Sequence, residues 1–195
     1  MQPSSNARGF TLLEMILVVA LIAVVGAMAV PQFLSTTAQM RLNTATRQVE
    51  RELQTARMKA VRGSRPVRLR FNCPGAGQFR AVELLGSIDA PAGDDWDARA
   101  AARCSEANYP YPDTDPSFFA LPNNDGPTRQ LPDKVSFGAV QPVEFRADGT
   151  AYIESGGAWT VIPTEGITLT LYDVDHQSSM TTSITVNGLG KISIQ

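Results

Sequence analysis

The sequence is poor in the residues from which catalytic and metal sites are usually built. It contains one histidine, His176, and two cysteines in 195 residues. There is no Cys-x-x-Cys spacing, and a single histidine does not supply a zinc cluster. The chain also has no Gly-x-Ser-x-Gly elbow and no glycine loop of the phosphate-binding kind. These absences argue against an enzyme, and we predict neither catalytic residues nor a cofactor.

His176 follows two acidic residues, Asp173 and Asp175, so an imidazole–carboxylate pair is conceivable. A histidine in a polar turn after a strand is more often simply solvated, and we favour that interpretation. The aspartates around residue 95 are spaced too irregularly for the calcium loop of helix–loop–helix proteins. We therefore predict no metal site.

Charge is also missing from a long stretch near the N-terminus. Phe10 to Val30 comprises 21 residues, of which only Glu14 is charged. A helix of this length rises about 1.5 Å per residue and spans a hydrocarbon core of about 30 Å. A lone carboxylate in that setting costs about 2.5–3.5 kcal/mol on insertion scales, so Glu14 requires a partner. We predict a transmembrane helix over residues 10–30.

The residues before this stretch do not fit an ordinary secretory signal, in which small residues follow the apolar run. Here the small residue, Gly9, precedes it, so cleavage after Gly9 would retain the hydrophobic segment. Residues 1–9 form a short leader that carries Arg8 and no acidic residue. This charge favours an N-terminus that stays in the cytoplasm.

The order Gly9-Phe10-Thr11-Leu12-Leu13-Glu14 resembles the class III signal of type IV prepilins and of the pseudopilins of type II secretion systems. The resemblance implies that a prepilin peptidase cuts between Gly9 and Phe10 and N-methylates Phe10. It also implies that Glu14 becomes the fifth residue of the mature subunit and acts in assembly. A plain membrane anchor that happens to carry this hexapeptide is the alternative.

Residues 31–62 are predicted to continue the same helix as an amphipathic segment. Apolar residues recur there at spacings of three and four, which is the helical period with one buried face. This stripe comprises Leu34, Ala38, Leu42, Ala45, Val49, Leu53, Ala56 and Ala60. Pro31 would kink the helix or mark its exit from the bilayer. Gly63, followed by Ser-Arg-Pro, is a suitable end.

From residue 63 onward the pattern changes to the alternation of half-buried strands. Strands are predicted at 67–71, 78–85, 135–137, 143–146, 151–154, 167–171, 182–186 and 191–195. A helix followed by strands predicts an α+β fold, with the long N-terminal helix packed on an antiparallel sheet as in pilins. Residues 63–195 would form one β-rich periplasmic domain.

An irregular insertion, residues 86–133, interrupts the strands and is rich in Asp, Pro and Asn. A loop of that length is typical of functional or family-specific decoration; only residues 98–103 are predicted to form a short helix. The insertion has nine acidic residues against three basic ones, whereas residues 41–70 have nine basic residues against two acidic ones. We interpret these segments as an acidic loop and a solvated helix face rather than as a binding patch.

The two cysteines, Cys73 and Cys104, are disulfide candidates. The predicted topology places the domain across the membrane, where disulfides persist, and an even cysteine count there suggests one bridge. Such a bridge would tie the base of the insertion to the strand region. Two buried free thiols are the alternative.

Two segments of the domain are similar to the GspH/FimT family of pseudopilins and minor pilins. Residues 143–151 look like that family's Phe-x-x-x-Gly segment, and residues 188–193 are similar to its C-terminal strand. DNA-binding FimT members carry Gly-Arg-x-Arg, which here reads Gly190-Lys191-Ile192-Ser193. One ammonium cannot fork onto phosphates as paired guanidinium groups do, so Lys191 is a weak DNA-binding candidate.

A rival DNA site is the basic run at the end of the helix and in the first strand. It comprises Arg57, Lys59, Arg62, Arg65, Arg68 and Arg70. Six cations attract phosphates without sequence preference. No aromatic residues interleave with the run to stack bases, so DNA is not an expected partner.

The resemblance as a whole implies a minor pseudopilin, a structural subunit of the periplasmic pseudopilus of a type II secretion system. It would cross the inner membrane once, with its globular domain in the periplasm. Its expected partners are prepilin peptidase and other pseudopilins or pilins. The alternatives are a FimT-like minor type IV pilin acting in pilus assembly or DNA uptake, and a hydrolase or binding domain tethered by a pilin-like anchor.

Overall fold

A computed structural model describes residues 10–73, 75–84, 126–156, 158–176 and 180–195. The chain divides into two compact units, Met1–Gln39 and Met40–Gln195. Several features of the sequence analysis lie outside the described residues: the leader at residues 1–9 with Arg8 and Gly9, and residues 86–125 of the insertion, which include Cys104, the aspartates near residue 95 and the predicted short helix at 98–103.

One helix, α1, runs from Leu12 to Gly63 and contains Pro31 in its interior. The predicted helix of about residues 10–61 is confirmed within two residues at each end. Its C-terminus is a Schellman motif, because Arg65 N donates to Ala60 O at 3.3 Å and Ser64 has a φ of 49°. The left-handed residue that stops the helix is thus Ser64, one position after the glycine that the sequence suggested.

In the described part of the chain, ten strands, numbered in chain order, form two antiparallel sheets. The larger sheet has the order β3 (Arg129–Gln130), β2 (Gln78–Glu83), β1 (Val67–Phe71), β5 (Val143–Phe145), β6 (Ala151–Ser155) and β7 (Ala158–Val161). The smaller sheet has the order β10 (Ile192–Ile194), β9 (Thr181–Val186), β8 (Ile167–Asp173) and β4 (Val135–Phe137). The predicted α+β fold with antiparallel sheet is confirmed.

Two of these strands were not predicted. Strand β3 has only two residues, too few for an alternation to be visible. Strand β7 lies at an edge of the larger sheet and is mostly exposed, so its sequence carries little burial pattern. It pairs with β6 from Tyr152↔Val161 to Ser155↔Ala158.

The core of the second unit is formed by the helix stripe and by inward-facing residues of both sheets. From Leu42 to Ala60 the predicted stripe is completely buried. It is joined in one cluster by Leu69, Phe79 and Phe145 of the larger sheet, and by Leu171 and Ile184 of the smaller one. Leu34, the predicted first member of the stripe, is instead 59% exposed, so the buried stripe is shorter than predicted.

Candidate functional site

The first candidate site is the start of α1, which is built by the motif residues themselves. Thr11 directly precedes the helix, and the backbone N–H of Glu14 donates to Thr11 Oγ1 at 3.2 Å. Threonine at this position satisfies one of the N–H groups that a helix start leaves without a partner. Thr-x-x-Glu is also the sequence of a capping box. The motif therefore fixes where the helix begins, with Phe10 immediately outside it.

Glu14 lies in the first turn of α1, where a carboxylate interacts favourably with the positive end of the helix dipole. Its side chain is exposed, as are those of its apolar neighbours along this part of the helix. Among the described residues α1 is the one helix long and apolar enough to cross a membrane, with a mean hydropathy of 2.7 over an 18-residue window. None of that window is buried.

The second candidate site is the turn between β9 and β10, residues 187–191, which we call the C-terminal turn. Gly190 has a φ of 71° and donates its N–H to Asn187 O at 2.8 Å. Asn187 Oδ1 accepts a further hydrogen bond, from the backbone N–H of Lys191 at 2.9 Å. The turn is thereby held in one conformation by its own backbone and by one asparagine side chain.

Arg57 of α1 connects this turn to a second one. Its Nη2 donates to Leu189 O at 3.0 Å, and its Nε donates to Gly149 O at 3.2 Å. Gly149 lies in the turn between β5 and β6, within the first segment that is similar to GspH/FimT proteins. The two segments with that similarity are therefore brought together in space at one helix residue. Sequence analysis grouped Arg57 with the basic run and did not identify this contact.

Lys191 is exposed beside this contact. With Gln54, Arg57, Met58, Leu189, Gly190 and Ile192 it lines a groove of about 450 Å³. Lys191 and Arg57 are thus in one groove, but the Arg57 guanidinium already donates to two backbone carbonyls. The forked presentation of two free guanidinium groups that the Gly-Arg-x-Arg motif implies is not formed by these two residues.

Members of the basic run bind separate partners within the protein. Arg65 Nη1 lies 3.6 Å from Glu83 Oε1, and Arg68 Nη2 lies 2.6 Å from Glu144 Oε2. Both side chains of the second pair are buried. Because Arg57 is also bonded to carbonyls, at least three of the six cations have protein partners and do not join a continuous phosphate-binding surface.

A buried charge network occupies one face of the larger sheet. Glu144 accepts hydrogen bonds from Arg68 at 2.6 Å and from Arg146 Nε at 3.2 Å. The guanidinium of Arg68 also stacks over the Trp159 ring, 3.7 Å from its centre, and Arg146 stacks likewise over Tyr152. Ionic hydrogen bonds and cation–π contacts offset part of the cost of burying Arg68 and Glu144.

Cys73 is buried and takes part in a disulfide. The predicted partner, Cys104, lies outside the described residues, so the Cys73–Cys104 bridge stays a prediction.

The Asp173–His176 region is arranged by ion pairs. Asp173 is buried, 3.4 Å from Arg41 Nη2, and Lys134 Nζ lies 2.6 Å from Asp175. Within the described part of the chain, no three His, Cys, Asp or Glu residues are grouped so that they could hold a metal ion.

Comparison with known proteins identifies the N-terminal motif. Residues 4–30 match the family described as "Prokaryotic N-terminal methylation motif". The chain thus carries the motif that the Gly9–Glu14 sequence predicted. No curated protein matches the chain.

Two kinds of solved structure are similar to it. One is the minor pseudopilin EpsH from the Type 2 Secretion System of Vibrio cholerae, with 9% identity over 80% of this chain and 96% of that chain and a TM-score of 0.45. The other is the type IV minor pilin FimU of Pseudomonas aeruginosa. Its two crystal forms have 14% and 15% identity, cover 79% and 82% of this chain and 92% of their own, and give TM-scores of 0.44 and 0.46. Similarities at this level do not assign the chain to either kind of filament.

Proposed function

We propose that this protein is a minor pseudopilin, a structural and non-catalytic subunit of the periplasmic pseudopilus of a type II secretion system. The observation that carries the proposal is the methylation motif at residues 4–30, which leads directly into a helix apolar enough to cross a membrane. A signal that is cut before its hydrophobic helix leaves that helix on the mature protein. Residues Leu42 to Ala60 of α1 supply the core stripe of the globular unit.

Glu14 is the proposed assembly residue. Its carboxylate is the only charge between Phe10 and Val30 and is costly in lipid unless it is paired. Cleavage after Gly9 would create an amine on Phe10, and the amine of a neighbouring subunit is a partner of the right charge. Attraction between unit charges is strong where the dielectric constant is low, so this pair would favour a fixed stagger between subunits.

The proposed location follows from the leader. Arg8 would keep the N-terminus in the cytoplasm, and the domain beyond the helix would then lie in the periplasm. Cleavage by prepilin peptidase and N-methylation of Phe10 are the processing steps proposed. Other pilin-like subunits in the same filament are the proposed partners.

Processing and assembly are tested separately. Gly9→Val should block cleavage, because a side chain there obstructs the approach of the peptidase to the backbone. The wild-type mature protein should begin with methylated Phe10 by N-terminal sequencing and mass spectrometry. Glu14→Ala should be inserted and cut normally, yet fail to enter filaments in a crosslinking assay. A different mature N-terminus, or normal filament entry by Glu14→Ala, contradicts the proposal.

The second candidate function is that of a FimT-like minor pilin that binds DNA for uptake. The observation in its favour is that Lys191 is exposed in a groove that also contains Arg57. We expect binding no tighter than about 10⁻⁵ M at physiological salt, in the usual non-specific range. Polarisation titration of the full chain in detergent against a DNA duplex measures this. Sub-micromolar binding that Lys191→Ala abolishes would make DNA uptake the better proposal.

A further inference from the structure

Three exposed apolar side chains lie together at the end of α1 and on the C-terminal turn. Leu189 is 70% exposed, Met58 56% and Val61 48%. Met58 and Leu189 line the same groove, and Val61 is beside Gly149, whose carbonyl accepts from Arg57. We call these three residues the apolar patch. Single exposed apolar residues are ordinary, but a contiguous group marks an interaction site.

The backbone that displays Leu189 is held from both sides. Arg57 donates to the Leu189 carbonyl, and the flanking residues Asn187, Gly190 and Lys191 are hydrogen-bonded to one another. Asn187 N also donates to Lys191 O at 3.1 Å. The turn is tied to the larger sheet as well, because Ala151 N donates to Gly188 O at 2.9 Å. Leu189 therefore projects from a fixed backbone, so that little conformational entropy is lost when a partner binds it.

The charged residues around the apolar patch are mostly basic. Arg62 and Lys191 are exposed, and Arg51 is exposed one turn before Gln54 on the same helix. Two acidic residues also lie on or near this surface: Glu50, whose Oε1 accepts from Gln54, and Asp148, which hydrogen-bonds with Thr150 in the β5–β6 turn. Three cations against two carboxylates leave the rim slightly positive. The complementary surface is apolar at its centre and acidic at its rim.

We propose that the apolar patch docks against an apolar, acidic-rimmed surface on the globular domain of a neighbouring filament subunit of a different kind. This inference rests on the proposed function, since it requires that the protein assembles. A protein partner fits better than a nucleic acid, because the described residues that line the groove include no aromatic side chain to stack a base and Arg57 is committed to carbonyls. Leu189 is the central contact, and Lys191 and Arg62 provide charge complementarity.

The test uses the full chain in its native membrane. A photo-crosslinking amino acid is placed at Gln54, which is exposed and lines the groove, and as a matched control at Val174, which is 46% exposed elsewhere. Irradiation should join position 54, and not position 174, to a different protein that itself carries an N-terminal methylation motif. The crosslinked peptide of that protein should be acidic. The yield of the crosslinked product should fall as the salt concentration is raised.

Two substitutions then test the patch itself. Leu189→Ser should lower the yield at position 54 by about tenfold, as expected for loss of a central interface side chain. Lys191→Glu should lower it as well. Val174→Ser, at a residue 46% exposed and outside the groove, should leave it unchanged. Equal melting temperatures of the three variants exclude a folding defect as the cause.

Failure of this inference is distinguishable from failure of the proposed function. Glu14→Ala is assayed in parallel for entry into filaments. If Glu14→Ala blocks entry while Leu189→Ser changes neither entry nor crosslinking, the docking surface is refuted and the pseudopilin proposal stands. Crosslinks from position 54 only to nucleic acid, only to a second copy of this chain, or to no protein also refute it.

Discussion

Arg57 Nη2 donates a hydrogen bond to the backbone carbonyl of Leu189 at 3.0 Å, across 132 residues of sequence. The same guanidinium reaches Gly149 O, so one helix side chain joins the β5–β6 turn to the C-terminal turn. Both turns need special backbone conformations, with a φ of 81° at Gly149 and 71° at Gly190. An arginine suits this position because its planar group presents several donors in a fixed geometry.

Arg57→Met should destabilise the protein by about 1.5–3 kcal/mol, because hydrogen bonds from a charged donor are lost while most of the aliphatic stem is kept. Arg57→Lys should recover little, since one ammonium does not reproduce the forked geometry. The control is Arg51→Met on an exposed position of the same helix, which should change stability by less than about 0.5 kcal/mol. Denaturant unfolding of the full chain in detergent gives the free energy of unfolding of all three variants. Equal losses in Arg57→Met and Arg51→Met would contradict the proposed role of Arg57 in joining the two turns.

Gly190→Ala and Gly156→Ala form a matched pair. Both glycines have a positive φ, 71° and 62°, so alanine is strained at either position. A Cβ at Gly156 meets nothing, whereas a Cβ at Gly190 would collide with Gly149 O and with the Arg57 side chain. We expect a loss of about 1–2 kcal/mol for Gly156→Ala and about 2–5 kcal/mol for Gly190→Ala.

Calorimetric melting of both glycine variants measures this difference. If the two alanine variants melt at the same temperature, the close approach of Gly190 to Gly149 and Arg57 is wrong.

Glu144→Ala should cost about 3–5 kcal/mol, because it removes the carboxylate that lies 2.6 Å from the buried Arg68 guanidinium. The double variant Arg68→Met, Glu144→Leu should be more stable than Glu144→Ala, since it removes both buried charges of the pair. Arg146 remains, but its side chain is 20% exposed and still stacks over Tyr152. Glu154→Gln is the control, at an exposed position of the adjacent strand β6. Chemical denaturation compares the stability of the variants. If the double variant is less stable than Glu144→Ala, the cost of Glu144→Ala does not come from leaving the Arg68 charge buried without Glu144.

The hydrogen bond from the Thr150 hydroxyl holds the pKa of Asp148 below its usual value of 3.8, helped by the Thr150 backbone N–H. A folded-state pKa that is lowered stabilises the protein above the unfolded pKa, and this stabilisation is lost as the pH falls through the folded value. Asp148→Asn should therefore lower the melting temperature at pH 7, and the difference from wild type should shrink below pH 3.8. If the difference in melting temperature between wild type and Asp148→Asn does not change with pH, the titration of Asp148 is not the cause of that difference.

A bridge between Cys73 and Cys104 would close a loop of about 30 residues and stabilise the domain by about 3–4 kcal/mol in the chain-entropy model. The double variant Cys73→Ser, Cys104→Ser should melt lower and be cut faster by protease within residues 86–133. Thiol titration of the oxidised protein should find no free thiol. Two free thiols under native oxidising conditions would exclude the bridge.

The sequence predicted those features whose cause is local. The helix stripe from Leu42 to Ala60 has the period of the helix, and β8 alternates in burial with the period of a half-buried strand. Strand β1 alternates in sequence, but its Arg68 is buried as well, which the alternation did not predict. The N-terminal motif is read residue by residue, and its match over residues 4–30 requires no folded structure. Short or exposed strands, β3 and β7, were missed because their burial leaves no pattern along the chain.

The tertiary structure alone decided what the arginines do. In sequence, Arg57, Arg65 and Arg68 are neighbours in a basic run; in the fold, one bonds to turn carbonyls, one pairs with Glu83 and one is buried against Glu144. Their partners lie on other strands and turns, up to 132 residues away, and only the pairing of β1 with β5 sets Arg68 opposite Glu144. The sequence by itself determined the motif and the elements, because these depend on neighbours along the chain. Tertiary packing decided which partner each arginine binds and that Leu189 is exposed, because both depend on residues that are neighbours in space rather than along the chain.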